Sequence, residues 1–245
     1  MRFALALSLL ATLLSGCASH ADRNPDGIWI NQTAIDAASK GGNLRQALLA
    51  NGPNLEWHVD TKARQAAFSN GFELSEGKIV SAADGKWHVD FYGNFFEDLS
   101  LKGDELVQGV SDSSPEQRFV QPENPAPADA PPGSSFEKAL YSAYMGGQWK
   151  IVDGEGAGGV VQFQPDGSII GLPGNDRYAL CLAGDCAAMS GEHDSLWLEK
   201  AQKGNAWIFV RKDKQMEILQ AVNQAKADEM PDLRPGARHW LLERN

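Results

Sequence analysis

The sequence predicts a mainly β fold: two similar small antiparallel β-barrel-like modules with short helices, joined by a Pro-rich linker. Three observations carry that expectation. Leu55–Asp60 and Lys86–Phe91 alternate apolar and polar residues, the period-two pattern of half-buried strands. Turn pairs such as Asn70-Gly71, Glu76-Gly77, Asp84-Gly85 and Gly103-Asp104 punctuate these runs as hairpins do. Second, the chain repeats itself. Gly27-x-Trp29 returns as Gly147-x-Trp149, and Arg118 returns as Arg238, each 120 residues later. Between them Trp87 answers Trp197, Gly93-Asn94 answers Gly204-Asn205, and Leu106–Val110 answers Ile218–Val222, at offsets of 110 to 112. Third, residues 121–133 hold five prolines and no apolar periodicity, which reads as an extended spacer between the modules.

In chain order, Asp26–Ile30 starts the first module, residues 26–120. Residues 33–40 read as a short helix closed by Gly41-Gly42. Asn43 is placed to cap a second helix over Leu44–Ala50, ended by Asn51-Gly52. This helical pair has no counterpart in the second half and reads as an insertion. Strands follow up to Gln117–Val120. After the linker, the second module occupies residues 134–245. Ser134-x-x-Glu137 resembles a capping box that opens a helix through Tyr144. Strands are then expected at 148–152, 160–163, 168–171, 178–182, 195–199, 206–211, 216–222 and 238–242.

The start of the chain has its own logic. Arg2 precedes an apolar run, Phe3–Leu14, followed by small residues and a cysteine. That is the layout of a secretory signal peptide, and the run is too short to span a bilayer. Leu14-Ser15-Gly16-Cys17 resembles the lipobox of bacterial lipoproteins. The resemblance implies removal of a signal peptide, residues 1–16, and fatty chains such as palmitate on Cys17. It also implies a tether over residues 17–25. With Ala18 after the cysteine, it implies an outer-membrane destination facing the periplasm. More than one chain gives a durable anchor, since each buried methylene contributes about 0.8 kcal/mol. An ordinary cleaved signal beside a free cysteine is the alternative.

Composition narrows the partners. Lys and Arg number 22 against 32 Asp and Glu, a net charge of −10. An acidic surface does not suit nucleic acid, which needs clustered cations, nor a polybasic grip on lipid headgroups. With 42% hydrophobic residues and seven Trp there is ample core material. Of the three cysteines, Cys181 and Cys186 remain after Cys17. In an oxidising compartment they are expected to form a disulfide across a Gly184-Asp185 turn between two strands, with free thiols or a metal or redox pair as alternatives.

Gly-x-Trp on a first strand with Arg on a last strand is similar to the lipocalin-like pattern. The resemblance implies that Arg118 lies over Trp29, and Arg238 over Trp149, each closing one end of a small barrel. A second resemblance lies within Phe163-x-x-Asp166-Gly167-x-x-x-Gly171-x-x-Gly174-Asn175-x-Arg177-Tyr178, which looks like the META-domain family of bacterial envelope proteins. That family places a cysteine where this chain has Gly174. Neither resemblance brings a catalytic residue.

Trp-His-Val-Asp occurs twice, at 57–60 and 87–90. On adjacent strands in register, His58, Asp60, His88 and Asp90 would share a face and suit a divalent transition metal. The simpler reading is an amphipathic strand used twice, with Trp inside and His and Asp in water. Ser135-x-x-Lys138 mimics a Ser–Lys nucleophile pair, but its companion motifs are absent. No phosphate loop, dinucleotide fingerprint or zinc-protease motif occurs. The expected function is therefore a non-catalytic, lipid-anchored envelope lipoprotein that binds an envelope protein or a small apolar ligand, without a cofactor. The alternatives are an envelope hydrolase or metal-dependent enzyme using His58, Asp60, His88 and Asp90, and an inhibitor or accessory factor of a cell-wall enzyme.

Overall fold

A computed structural model describes residues 24–93, 95–112 and 114–244; the lipobox, with Cys17, lies outside them. The first eight strands are β1 (Gly27–Ile30), β2 (Glu56–Asp60), β3 (Gln65–Ser69), β4 (Leu74–Ser81), β5 (Lys86–Asp90), β6 (Phe96–Lys102), β7 (Glu105–Gln108) and β8 (Gln117–Val120). Each pairs antiparallel with the next, and β8 returns to β1 at Ile30↔Val120, closing a barrel. Alternation turns Trp29, Trp57, Val59, Phe68, Trp87, Val89 and Phe119 into one core. Trp57 and Phe68 meet at 5.1 Å between ring centroids, Phe68 and Phe91 edge-on at 5.3 Å.

The second set is β9 (Gln148–Gly154), β10 (Val160–Phe163), β11 (Ile169–Ile170), β12 (Arg177–Leu180), β13 (Asp194–Lys200), β14 (Lys203–Lys212), β15 (Gln215–Asn223) and β16 (Leu233–Arg244). These also run as a meander, with β16 returning to β9. The single gap, between β11 and β12, is stitched by a Ser168↔Arg177 bridge. Ile169 N donates to Asp176 O and Tyr178 N to Gly167 O, both at 2.8 Å. The second barrel is thus nearly closed.

Four short helices accompany the barrels: α1 (Gln32–Ser39), α2 (Leu44–Ala50), α3 (Ser134–Leu140), extended by a π-helical turn at Tyr141–Met145, and α4 (Gly184–Met189). Asn31 caps α1 by accepting from Ala34 N, and Asn43 caps α2 by accepting from Gln46 N. Buried Ile35, Leu44 and Leu48 from this insertion join Phe136, Leu140, Tyr144 and Met145 in a core continuous with the second barrel. The helices therefore form a shared layer between the barrels, held by polar contacts as well. Asp194 of β13 accepts from Leu44 N at 2.6 Å and Arg45 N at 2.9 Å.

The duplication is visible in detail. Trp29 Nε1 donates to Pro25 O at 2.7 Å, and Trp149 Nε1 donates to Met145 O at 2.8 Å, each four residues back. Arg118 pairs with Glu105 on the preceding strand, and Arg238 pairs with Glu217 on its own preceding strand.

Five sequence expectations need correction. The repeated arginines do not cover the tryptophans. Arg118 is exposed between Glu105 and Glu116, and Arg238 between Glu217 and Asp153. The guanidinium over Trp149 belongs to Arg244, 4.5 Å above the ring. Trp87 and Trp197 are not equivalent, because Trp87 faces the first core while Trp197 is exposed between buried Leu196 and Leu198. A one-residue slip along a strand exchanges faces. The disulfide Cys181–Cys186 is present, with Cα atoms 5.6 Å apart, but it ties the end of β12 to α4 rather than two strands. Ser134 caps nothing; Gly133, at φ +99°, holds the N-cap position of α3. Finally, residues 121–133 are no free spacer. Ala126 N donates to Ser135 Oγ at 3.0 Å and Lys138 Nζ to Pro125 O at 3.1 Å. Ser135 and Lys138 thus hold the Pro-rich segment.

Candidate binding cleft on the first barrel

The barrel interiors are filled. Trp57, Phe119, Trp149, Phe163 and Phe209 are among the largest fully buried side chains. Two recesses lie on the outside of the barrels.

A cleft of about 780 Å³ lies on the outer face of the first barrel. Register explains its floor. Ile28, His58, Ala67 and Glu76 are consecutive cross-strand partners on β1 to β4 and form one outward row. Asp60, Gln65, Lys78 and Asp90 form the neighbouring row on β2 to β5. Ala128 and Pro132 of the Pro-rich segment complete the lining. Small Ala67, in the outward row, leaves depth where a larger residue would fill it. Tyr92, fully solvent-exposed, also lines the cleft.

Three of the four residues singled out for metal binding, His58, Asp60 and Asp90, line this cleft, while His88 does not. They do not converge. Strands β3 and β4 separate β2 from β5, so Asp60 and Asp90 stand three strand spacings apart, roughly 14 Å along the sheet. His88 instead pairs with Asp98 at 2.8 Å and stacks on Phe96. Among the described residues no group of three His, Cys, Asp or Glu side chains is placed to hold a metal.

What the sequence did not reveal is Glu56. It stands beside the Trp-His-Val-Asp motif and is only 1% exposed. Its carboxylate accepts from Gly133 N at 2.8 Å and from Phe136 N at 2.6 Å, capping α3 from 77 residues away. The same carboxylate holds His58 Nε2 at 2.5 Å. Burial, followed by the charge of Glu56, pushes the neighbouring Glu137 carboxyl above the ordinary range. The cleft wall and the helical layer are therefore joined through one side chain. The available signal was Ser134-x-x-Glu137, which marks a helix start but not the distant residue that caps it.

Glu97 is a second buried acid, on the inner face of β6. It accepts from Ser111 Oγ at 3.1 Å, and its Oε2 has no partner. Burial raises its pKa, against the lowering effect of Ser111, Gln108 and Ser114. Nearby, Asn54 Nδ2 and Trp57 Nε1 both donate to Gln108 Oε1, while Gln117 bonds to the Asn54 backbone. This polar network closes the end of the barrel beneath the helical insertion and is structural.

A further cleft of about 720 Å³ runs between Ile35 of α1, Ala139 of α3 and residues 120–124. Comparison with protein-family models, with curated proteins and with solved structures returns no match.

Proposed function

We propose that this is a lipid-anchored envelope lipoprotein without catalytic activity, whose first barrel docks another envelope protein in the cleft over β1–β5. One observation carries the choice of site: both barrel interiors are packed with aromatic and aliphatic side chains, and the 780 Å³ cleft lies outside them. The cleft offers a mixed lining, with Ile28, Ala67 and Tyr92 beside Asp60, Glu76, Lys78 and Asp90. Recognition surfaces of protein partners combine such an aromatic anchor with a polar rim. The anchor part rests on Leu14-Ser15-Gly16-Cys17 and puts the cleft within reach of membrane-associated partners.

Site-specific photocrosslinking in intact cells tests the docking part. A photoreactive residue at Ala67, on the cleft floor, should give a defined adduct, and the same residue at exposed Val210 on the second barrel should not. Glu76→Lys should weaken the Ala67 adduct. Identical adducts from both positions would defeat the assignment. Intact-mass measurement of the mature protein tests the anchor: an unmodified Cys17 thiol contradicts it.

A further inference from the structure

We propose that Arg211 and Arg244, inside the helix-covered end of the second barrel, form a binding site for a small tetrahedral oxyanion of the phosphate or sulfate class. Alternation along β14 puts Phe209 and Arg211 on the inner face, and Arg211 is only 7% exposed. Arg244, near the end of β16, is half-buried. None of the ion pairs among the described residues involves either guanidinium. The buried acid at this end, Asp194, already accepts from Leu44 N and Arg45 N.

The arrangement leaves donors free in a particular way. Arg211 lies 4.3 Å above the Tyr144 ring and Arg244 lies 4.5 Å above Trp149. Face stacking fixes a guanidinium plane and leaves its N–H groups pointing outward in that plane, although the Tyr144 side chain also interacts with Arg211 through a hydrogen bond. Arg244 Nη2 donates to Tyr144 O at 2.7 Å. Arg211 Nε, Arg211 Nη1 and Arg244 Nε have no hydrogen-bond partner. Native proteins rarely bury such groups unsatisfied, and a buried cation without an anion is costly. Burial, followed by the charge of Arg211, also depresses the Arg244 pKa. Three donor nitrogens and two positive charges match a dianion with several acceptor oxygens, the recognition mode in which arginine outperforms lysine.

Isothermal titration of the full chain with inorganic phosphate tests this, with ionic strength held constant by gluconate. Saturable binding of one phosphate is expected, weakened at least tenfold in Arg211→Met and unchanged in Arg118→Met on the first barrel. Sulfate should compete. Absence of saturable binding, or equal affinity in Arg211→Met, overturns the proposal. Should Arg211→Met fail to fold, a crystal of the parent protein grown in selenate decides. An anomalous peak between the two guanidinia supports the site, and an empty density there rejects it.

Discussion

Replacing Glu56 with Ala removes a side chain that joins the cleft wall to the helical layer. The loss can be worked from its contacts. Two backbone donors, Gly133 N and Phe136 N, lose their acceptor in a buried position. Each buried donor left unpaired costs about 1–3 kcal/mol, so the pair amounts to about 4 kcal/mol at a middle value. His58 is part-exposed and recovers water, so its lost contact adds little. For a body of this size, about 4 kcal/mol lowers Tm by about 8–16 °C. Glu56→Gln keeps one acceptor oxygen and should lie about midway. Calorimetry measures the Tm, and hydrogen exchange at the Gly133 and Phe136 amides should accelerate selectively. A Tm loss under 2 °C in Glu56→Ala, or unchanged exchange at those two amides, would refute the reasoning that this carboxylate holds α3.

Three further outcomes follow from the geometry. Because burial raises the Glu97 pKa, its stabilising contribution is complete below the unfolded carboxyl pKa of about 4.3 and is lost as pH rises through the folded value. Glu97→Gln should therefore raise the urea midpoint at pH 7.5 and match the parent near pH 4; equal effects at both pH values would contradict the burial argument. Removing the Cys181–Cys186 disulfide with Cys→Ser at both positions should cost about 2 kcal/mol, the closure entropy of so short a loop, read from urea midpoints. A reducing agent should shift the parent, and not the double variant, by a similar amount. Gly154 has φ +107°, and an added Cβ would lie 2.1 Å from His239 O, where β9 crosses β16. Gly154→Ala should cost more than about 2 kcal/mol through backbone strain and clash, and a near-neutral midpoint would show that the two strands separate easily.

The cleft was half legible in the sequence. Trp-His-Val-Asp signalled which residues face outward, because alternation is a local property of the strand. His58, Asp60 and Asp90 accordingly do line one recess. Their separation was not legible, since strand order depends on the hairpins between β2 and β5 and not on the motif itself. Glu56 was missed for a related reason. A capping residue is usually sought next to the helix it caps, and this one lies 77 residues away.

Local chemistry alone determined that this chain makes strands joined by glycine turns, that it does so twice, and that Asn43 begins a helix. Each of those depends on near neighbours along the backbone. Which arginine stacks on Trp149, what caps α3, and whether the proline-rich stretch hangs free or lies against the body were decided by tertiary packing. Those outcomes depend on which distant groups arrive at one place, and a repeat of 120 residues carries side-chain identity forward without fixing the face or the partner.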